Sequence, residues 1–278
     1  MYKITAKEKL SPVIDSMKVE APEIARKAKA GQFVVIRIDE VGERIPLTLA
    51  DWDSKEGTIT LVVMQVGTST YKLSELNAGD SIMNLVGPLG LPSEIKNFGT
   101  VVCVGGGVGI APVHPIARSL KEAGNKVISI IGARNKDLLF WEDYMKNVSD
   151  ELIVTTDDGS YARKGLVTEP LKEILEREKV SHVVAIGPAI MMKFCSLTTK
   201  PFGVPTMVSL NSIMVDGTGM CGCCRVAIGD ETKFACVDGP DFDAHKVDWD
   251  LLVKRQQIYC DEEKHSLDMW KSCHCKNA

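Results

Sequence analysis

One segment constrains the fold of this chain more than any other. The apolar run Val101-Val102-Cys103-Val104 leads straight into Gly105-Gly106-Gly107-Val108-Gly109-Ile110-Ala111-Pro112. Four apolar residues ahead of a glycine turn read as a strand buried on both faces, as in a parallel sheet. The stretch from Ala111 to Ala123 reads as a helix, with Pro112 suited to its first turn. A strand that ends in glycines and opens a helix brings backbone N–H groups and the positive end of the helix to one place, where a pyrophosphate can be held. A tight turn without ligand needs fewer glycines than the four found in five residues here, so the pattern points to dinucleotide binding. It is not Gly-x-Gly-x-x-Gly, so a simple dehydrogenase fingerprint is not supported.

Strands and helices alternate from Thr100 onward. Lys126–Ile131, Leu152–Val154 and His182–Ile186 read as strands, and Phe140–Asn147 and the amphipathic Leu166–Arg177 as helices. This alternation predicts an open, mainly parallel sheet flanked by helices. Ahead of it, Gln32–Ile38, Thr58–Met64 and Ser81–Leu85 read as strands punctuated by Gly and Pro, with few helical patterns of useful length. The expected fold class is therefore β plus α/β: an N-terminal antiparallel barrel over residues 1–97, a central parallel-sheet nucleotide-binding domain over 98–200, and a cysteine-bearing module with a tail over 201–278. The tail from Asp248 carries one plausible helix and the thiols Cys260, Cys273 and Cys275.

The C-terminal module contains Asp216-Gly217-Thr218-Gly219-Met220-Cys221-Gly222-Cys223-Cys224, followed by Cys236. Plant-type [2Fe–2S] ligation uses Cys-x4-Cys-x2-Cys with a distant fourth Cys. Here Asp216 stands in the first place, Cys221 and Cys224 hold the x2 pair, and Cys236 closes the set. Glycines let such a loop fold tightly and turn N–H groups toward cluster sulfurs. A zinc site or a set of free buried thiols are the competing readings, but no second Cys-x2-4-Cys arm lies nearby. Cys223 competes with Cys224 for the ligand role.

Several other segments end predicted strands, where ligands bind in α/β sheets. Arg134, after Gly132-Ala133, can meet a ribose or phosphate, or can be a solvated surface residue. Gly187-Pro188 brings backbone to the same edge. Asp158, in Asp157-Asp158-Gly159-Ser160, is a ligand contact or only a turn residue. In the barrel, Arg44-Ile45-Pro46-Leu47-Thr48 and Gly67-Thr68-Ser69-Thr70 combine a cation with hydroxyls and extended backbone, a set that can hold a flavin pyrophosphate and ring edge.

Composition narrows the function classes. The chain is 278 residues long, 45% hydrophobic and 25% charged, with a formal net charge of −4. That balance gives no case for nucleic-acid binding. No apolar run reaches the ~18–20 residues that span a bilayer. Nine cysteines behind an N-terminus without a signal-peptide core argue for metal or redox use in a reducing compartment, and the expectation is cytoplasmic.

The order of these pieces, with Gly87-Pro88-Leu89-Gly90 between the barrel and the sheet, resembles the ferredoxin–NADP reductase superfamily. Within it, nearly the whole chain is similar to the branch holding the electron-transfer subunit of dihydroorotate dehydrogenase B. The same branch holds the small subunit of NADH-dependent ferredoxin:NADP oxidoreductase, also called the sulfide dehydrogenase beta subunit. The resemblance implies FAD on Arg44, Pro46, Leu47 and Thr48, with Gly67, Thr68 and Ser69 near its pyrophosphate. It implies NAD(H) at Gly106, Gly107 and Gly109, and a [2Fe–2S] cluster on Asp216, Cys221, Cys224 and Cys236. It also implies a larger flavin and iron–sulfur partner subunit, through which ferredoxin and NADP(H) react in electron bifurcation. The dihydroorotate branch normally has four cysteine ligands, and Asp216 departs from it toward the ferredoxin:NADP oxidoreductase branch. The competing functions are the dihydroorotate dehydrogenase subunit and, in a different class, a zinc-binding regulatory module. No residue is assigned as general acid or base.

Overall fold

The computed structural model describes residues 1–274, and Cys275 lies outside the described residues. The N-terminal part holds eight strands: β1 (Tyr2–Ser11), β2 (Ile14–Glu20), β3 (Phe33–Arg37), β4 (Arg44–Thr48), β5 (Asp51–Asp53), β6 (Thr58–Met64), β7 (Ser81–Ile82) and β8 (Asn84–Leu89). They form a five-stranded sheet, β5-β6-β2-β1-β7, and a three-stranded sheet, β4-β3-β8. The two enclose one core of Ile4, Met17, Val34, Ile36, Leu61, Ile82 and Leu85. Each such residue contributes roughly 1.5–3 kcal/mol on burial.

The apolar strands expected at 32–38 and 58–64 are present as β3 and β6. The strand expected over 81–85 is instead two strands in different sheets, parted at Met83, whose N–H is held by the Ile38 carbonyl. The long hairpin of β1 and β2 has a weak sequence signal at β1, where of its apolar side chains only Ile4 is fully buried. Backbone pairing with β2 holds the rest of β1. Two short helices also belong to this part, α1 (Pro22–Ala25) and α2 (Thr68–Glu75).

The second part is built on β9 (Thr100–Gly106), α3 (Ile110–Glu122), β10 (Lys126–Ala133), α4 (Glu142–Asn147), β11 (Glu151–Thr156), β12 (Arg163–Lys164), α5 (Thr168–Arg177), β13 (His182–Ile186), α6 (Ala189–Thr199) and β14 (Thr206–Ser209). Its sheet runs β12-β11-β10-β9-β13-β14-β17, parallel throughout except for the last strand. That last strand, β17 (Asp241–Asp243), follows the hairpin of β15 (Arg225–Ile228) and β16 (Glu231–Phe234). The sheet thus continues past residue 200, and the cysteine module contributes its outer strand. Helices α7 (Trp249–Gln256) and α8 (Cys260–His274) end the described chain, so the tail carries two helices where its sequence pattern suggested one. No helix among the described residues is long and apolar enough to cross a membrane.

Two cores tie the parts together. On one face of the parallel sheet, β3 residues Phe33 and Val35 join Val102, Val104, Val183 and Val208, together with Cys224, Val226, Cys236 and Phe242 of the cysteine module. On the other face, Ile14, Ala50 and Val62 of the barrel pack with Val113, Ile116 and Ala117 of α3. Arg118 on α3 pairs with Asp51 at 2.7 Å and lies over the Trp52 ring at 5.3 Å from its centroid.

The segment leaving β8 is pinned to the cysteine module by two contacts. Leu91 N–H donates to the Gly239 carbonyl at 2.6 Å, and Ser93 Oγ donates to Asp241 Oδ2 at 2.5 Å. Burial raises the Asp241 carboxyl pKa above its ordinary value of 3.8, while the Ser93 and Ser209 hydroxyls pull it the other way. The folded state therefore binds this proton more tightly than the unfolded chain. The stabilisation is complete below the ordinary value and is lost as pH rises through the raised folded value. Asp241→Asn keeps the shape and removes the charge. It is expected to flatten the decline in unfolding midpoint across mildly acid pH, and a decline identical to that of the parent chain would contradict this account.

Candidate cofactor sites

The glycine turn is built by the end of β9 and the start of α3. Gly107 to Gly109 form one 3-10 turn between them, lying against β6 of the barrel. Different glycines serve different ends. A Cβ on Gly109 would stand 2.2 Å from the Ile186 carbonyl oxygen, so this glycine permits the helix to close on β13. Gly107 has φ +55°, and a Cβ there would meet nothing within 4 Å. Its backbone is open to a ligand, and the N-terminus of α3 beyond it has no side-chain cap. Anions favour such a place.

Gly187-Pro188 lies beside this turn: a Cβ on Gly187 would be 3.0 Å from the Gly106 carbonyl oxygen, and one on Gly106 3.5 Å from Pro188 Cδ. Met191 fills the space next to both. In the parallel register Gly106 pairs with Gly132, and Gly132 with Thr155, which sets Arg134 and Asp158 at the same carboxyl edge. Asp158 N–H donates to the Arg134 carbonyl at 3.2 Å. The Asp158 side chain accepts from Ser160 N–H at 2.8 Å, so it closes its own turn. Arg134 is exposed.

In the barrel, Arg44 opens β4, an edge strand whose outer row of backbone groups lies outside the ladder. Gly67 precedes α2, and Thr70 Oγ1 accepts from the N–H groups of Val66 and Gly67 at 2.9 and 3.0 Å. The Gly67–Thr70 segment is therefore the cap and first turn of a helix. Ser69 Oγ donates to Glu43 Oε2 at 2.8 Å and so draws this turn to the start of β4. Pro46, Leu47 and Thr48 continue β4, paired with Val35, Val34 and Phe33.

A cleft of about 230 Å³ lies on this sheet, lined by Val35, Ile36, Arg37, Arg44, Asn84 and Val86, and by Asp216 and Thr218 of the cysteine loop. The loop is seated closely: a Cβ on Gly217 (φ +74°) would be 2.7 Å from Leu89 Cδ1 and 3.0 Å from Val35 Cγ2. Arg37, Asn84 and Thr218 were not singled out in the sequence. Arg37 faces Arg44 across the β3–β4 ladder, and only the register discloses that.

Within the loop, Cys224 and Cys236 are buried with Sγ atoms 3.2 Å apart. Two thiolates on one tetrahedral metal with bonds of ~2.3 Å would lie roughly 3.8 Å apart, so a small adjustment brings this pair to one iron. Cys221 is exposed and Cys223 half-buried. Asp216 Oδ1 accepts from Thr218 N–H and Oδ2 from Cys221 N–H, both at 2.9 Å. These backbone bonds lower the Asp216 pKa and keep the carboxylate ionised. No three His, Cys, Asp or Glu side chains among the described residues already converge on one metal position. The donor set nevertheless fits iron chemistry: soft thiols, one carboxylate and a glycine-rich backbone. Cys260 and Cys273 lie far along the chain on α8 and are exposed.

Residues 103–196 match the family described as oxidoreductase NAD-binding domain, and residues 211–248 match the iron–sulfur cluster binding domain of dihydroorotate dehydrogenase B. The chain is 51% identical over 268 residues to a dihydroorotate dehydrogenase B (NAD(+)) electron transfer subunit homolog of Thermotoga maritima, covering 96% of this chain and 95% of that protein. It belongs to the family of dihydroorotate dehydrogenase B electron-transfer subunits and their homologues. A relative from Desulforamulus reducens, itself such an electron-transfer subunit, is 33% identical, with 89% of this chain and 97% of that protein covered. Among solved structures, a chain of an NADH-dependent reduced ferredoxin–NADP oxidoreductase, described for flavin-based electron bifurcation, superposes with a TM-score of 0.92. It is 50% identical, and 97% of this chain and 98% of that one are covered. Phthalate dioxygenase reductase shares the fold, with a TM-score of 0.57 at 19% identity over 82% and 85% of the two chains.

The protein is thus an oxidoreductase electron-transfer subunit with an NAD-binding domain and an iron–sulfur domain, and the zinc reading is set aside. For this electron-transfer subunit, Gly107→Val is expected to weaken NADH binding at least tenfold in titrations. A branched side chain would stand where the backbone is now open and would strain the left-handed φ. FAD and iron content should stay at the parent level, because the turn has room for the side chain. Parent-level NADH affinity in the folded variant would contradict the assignment.

Proposed function

We propose that this subunit exchanges hydride between NAD(H) and FAD and passes single electrons between the flavin and a [2Fe–2S] cluster. One observation carries the proposal: Arg44 of the flavin strand and Asp216 and Thr218 of the cysteine loop line the same cleft. The flavin supplies the change from two-electron to one-electron chemistry. The protein's residues bind and orient. The Arg44 guanidinium and the first N–H groups of α2 supply positive charge for the pyrophosphate, while β4 offers its free backbone edge to the ring. The glycine turn against β6 holds the nicotinamide nucleotide on the barrel side of the sheet. The packing of Gly217 on Val35 and Leu89 keeps the cluster loop close to the flavin sheet.

Cytoplasmic NADH is the proposed reductant, and the acceptor is a larger partner subunit carrying further flavin and iron–sulfur groups. Through that partner the assembly couples NADH, NADP(H) and ferredoxin by electron bifurcation. Asp216 in the place of a first cysteine, with the likeness to the ferredoxin–NADP oxidoreductase chain, favours this partner over a dihydroorotate dehydrogenase subunit. Co-purification with a large iron–sulfur flavoprotein supports the reading, and a partner that oxidises dihydroorotate overturns it.

The proposed ligands are Asp216, Cys221, Cys224 and Cys236. A carboxylate is a harder donor than a thiolate, and ligand identity sets cluster potential. Asp216→Cys is expected to keep a [2Fe–2S] cluster with a changed potential and spectrum, and Asp216→Ala to make it labile. If both variants keep the parent spectrum and potential, Asp216 only closes the turn through Thr218 and Cys221, and Cys223 becomes the fourth ligand to test.

A further inference from the structure

Helix α8 folds back from the end of the described chain onto the first turn of α2, the turn assigned above to the flavin pyrophosphate. Ser266 Oγ lies 2.9 Å from Thr68 Oγ1, although 198 residues separate them. One turn further along both helices, the Trp270 and Tyr71 rings pack with centroids 5.4 Å apart and planes at 39°. Lys271 Nζ sits 5.2 Å from the centre of the same Tyr71 ring. A step of three residues on α2 matches a step of four on α8, so the helices run side by side in the same direction. Asp261, Glu262 and Glu263 occupy the first turn of α8, where acidic side chains suit the helix dipole.

We propose that α8 is a clasp on the flavin, and that Ser266 and Trp270 are positioning residues for FAD; the inference rests on the flavin reading of Gly67–Ser69. Thr68 is the first residue of α2, and its hydroxyl lies at the first-turn N–H groups, which have no side-chain cap. The Ser266–Thr68 hydrogen bond uses the proton of one hydroxyl and fixes the direction of both, which leaves the other proton to face a phosphate. The Trp270–Tyr71 contact holds α8 in place: aromatic pairs of this kind contribute beyond their buried area. A clasp closed by segments so distant in sequence slows flavin release, because FAD leaves only when α8 lifts. A conduit between a nucleotide and a cluster requires a flavin that does not exchange during turnover.

The test uses the full-length, cluster-loaded chain and follows FAD release after dilution by the rise in flavin fluorescence. Ser266→Ala and Trp270→Ala are compared with Trp270→Phe, with Thr68→Val as the control for the flavin site itself, and cluster absorbance reports folding. The clasp predicts release at least tenfold faster in Trp270→Ala, several-fold faster in Ser266→Ala, and close to the parent rate in Trp270→Phe, all with parent cluster absorbance. Parent-like release in both alanine variants while Thr68→Val releases FAD faster overturns the clasp and leaves the flavin site standing. Parent-like release in Thr68→Val as well overturns the flavin assignment of α2, and the clasp with it.

Discussion

At Gly217, in a left-handed conformation (φ +74°), the cysteine loop packs closely on the β4-β3-β8 sheet, a Cβ there reaching Leu89 Cδ1 at 2.7 Å. That contact sets the rest of the arrangement. It brings Asp216 and Thr218 into the cleft with Arg44, and the cores around it extend without a break from β3 through the parallel sheet to Cys224 and Cys236. Close-packed interiors transmit displacement rather than absorb it. The loop is therefore held by the barrel and by the sheet together, and not by a flexible linker.

The same logic explains why the cysteine module gives a strand to the nucleotide-binding sheet. β17 pairs antiparallel with β14, and the Ser93–Asp241 and Leu91–Gly239 bonds tie the barrel's exit segment to that edge. The barrel, in turn, rests on α3 through Asp51 and Arg118. Each part touches the other two, and the glycine turn and the cleft are both positioned by contacts between parts. The glycine turn rests against β6 of the five-stranded sheet, and the cleft lies on the β4-β3-β8 sheet of the same barrel.

Some of this was legible in the sequence because the rules involved are local. The strand, glycine turn and helix at 101–123 follow from backbone freedom and apolar pattern, and β9 and α3 stand where those rules put them. The spacing of Cys221, Cys224 and Cys236 disclosed the iron–sulfur domain in the same way. What the sequence could not disclose depends on distant pairing. Of the apolar side chains of β1 only Ile4 is fully buried, and charged residues interrupt the rest, so its pattern is weak although its ladder is long. The cleft that Arg44 and Asp216 both line, and the contact of Thr68 with Ser266, are consequences of tertiary packing that leaves no periodicity in the chain. Gly105–Gly109 read as one ligand turn, yet the structure divides the work: Gly109 is needed for helix–strand packing, and Gly107 presents the open backbone.

The central claim is an order of events, from nicotinamide nucleotide to flavin to cluster, across the cleft that Arg44 and Asp216 share. It is tested most directly by anaerobic NADH titration of the purified chain with paramagnetic resonance detection of the reduced [2Fe–2S] cluster, in the parent and in Arg44→Ala freed of FAD. The account predicts a reduced-cluster signal in the parent and its loss in the flavin-free variant, with dithionite still reducing the cluster in both. Equal reduction of the cluster by NADH with and without FAD would contradict it.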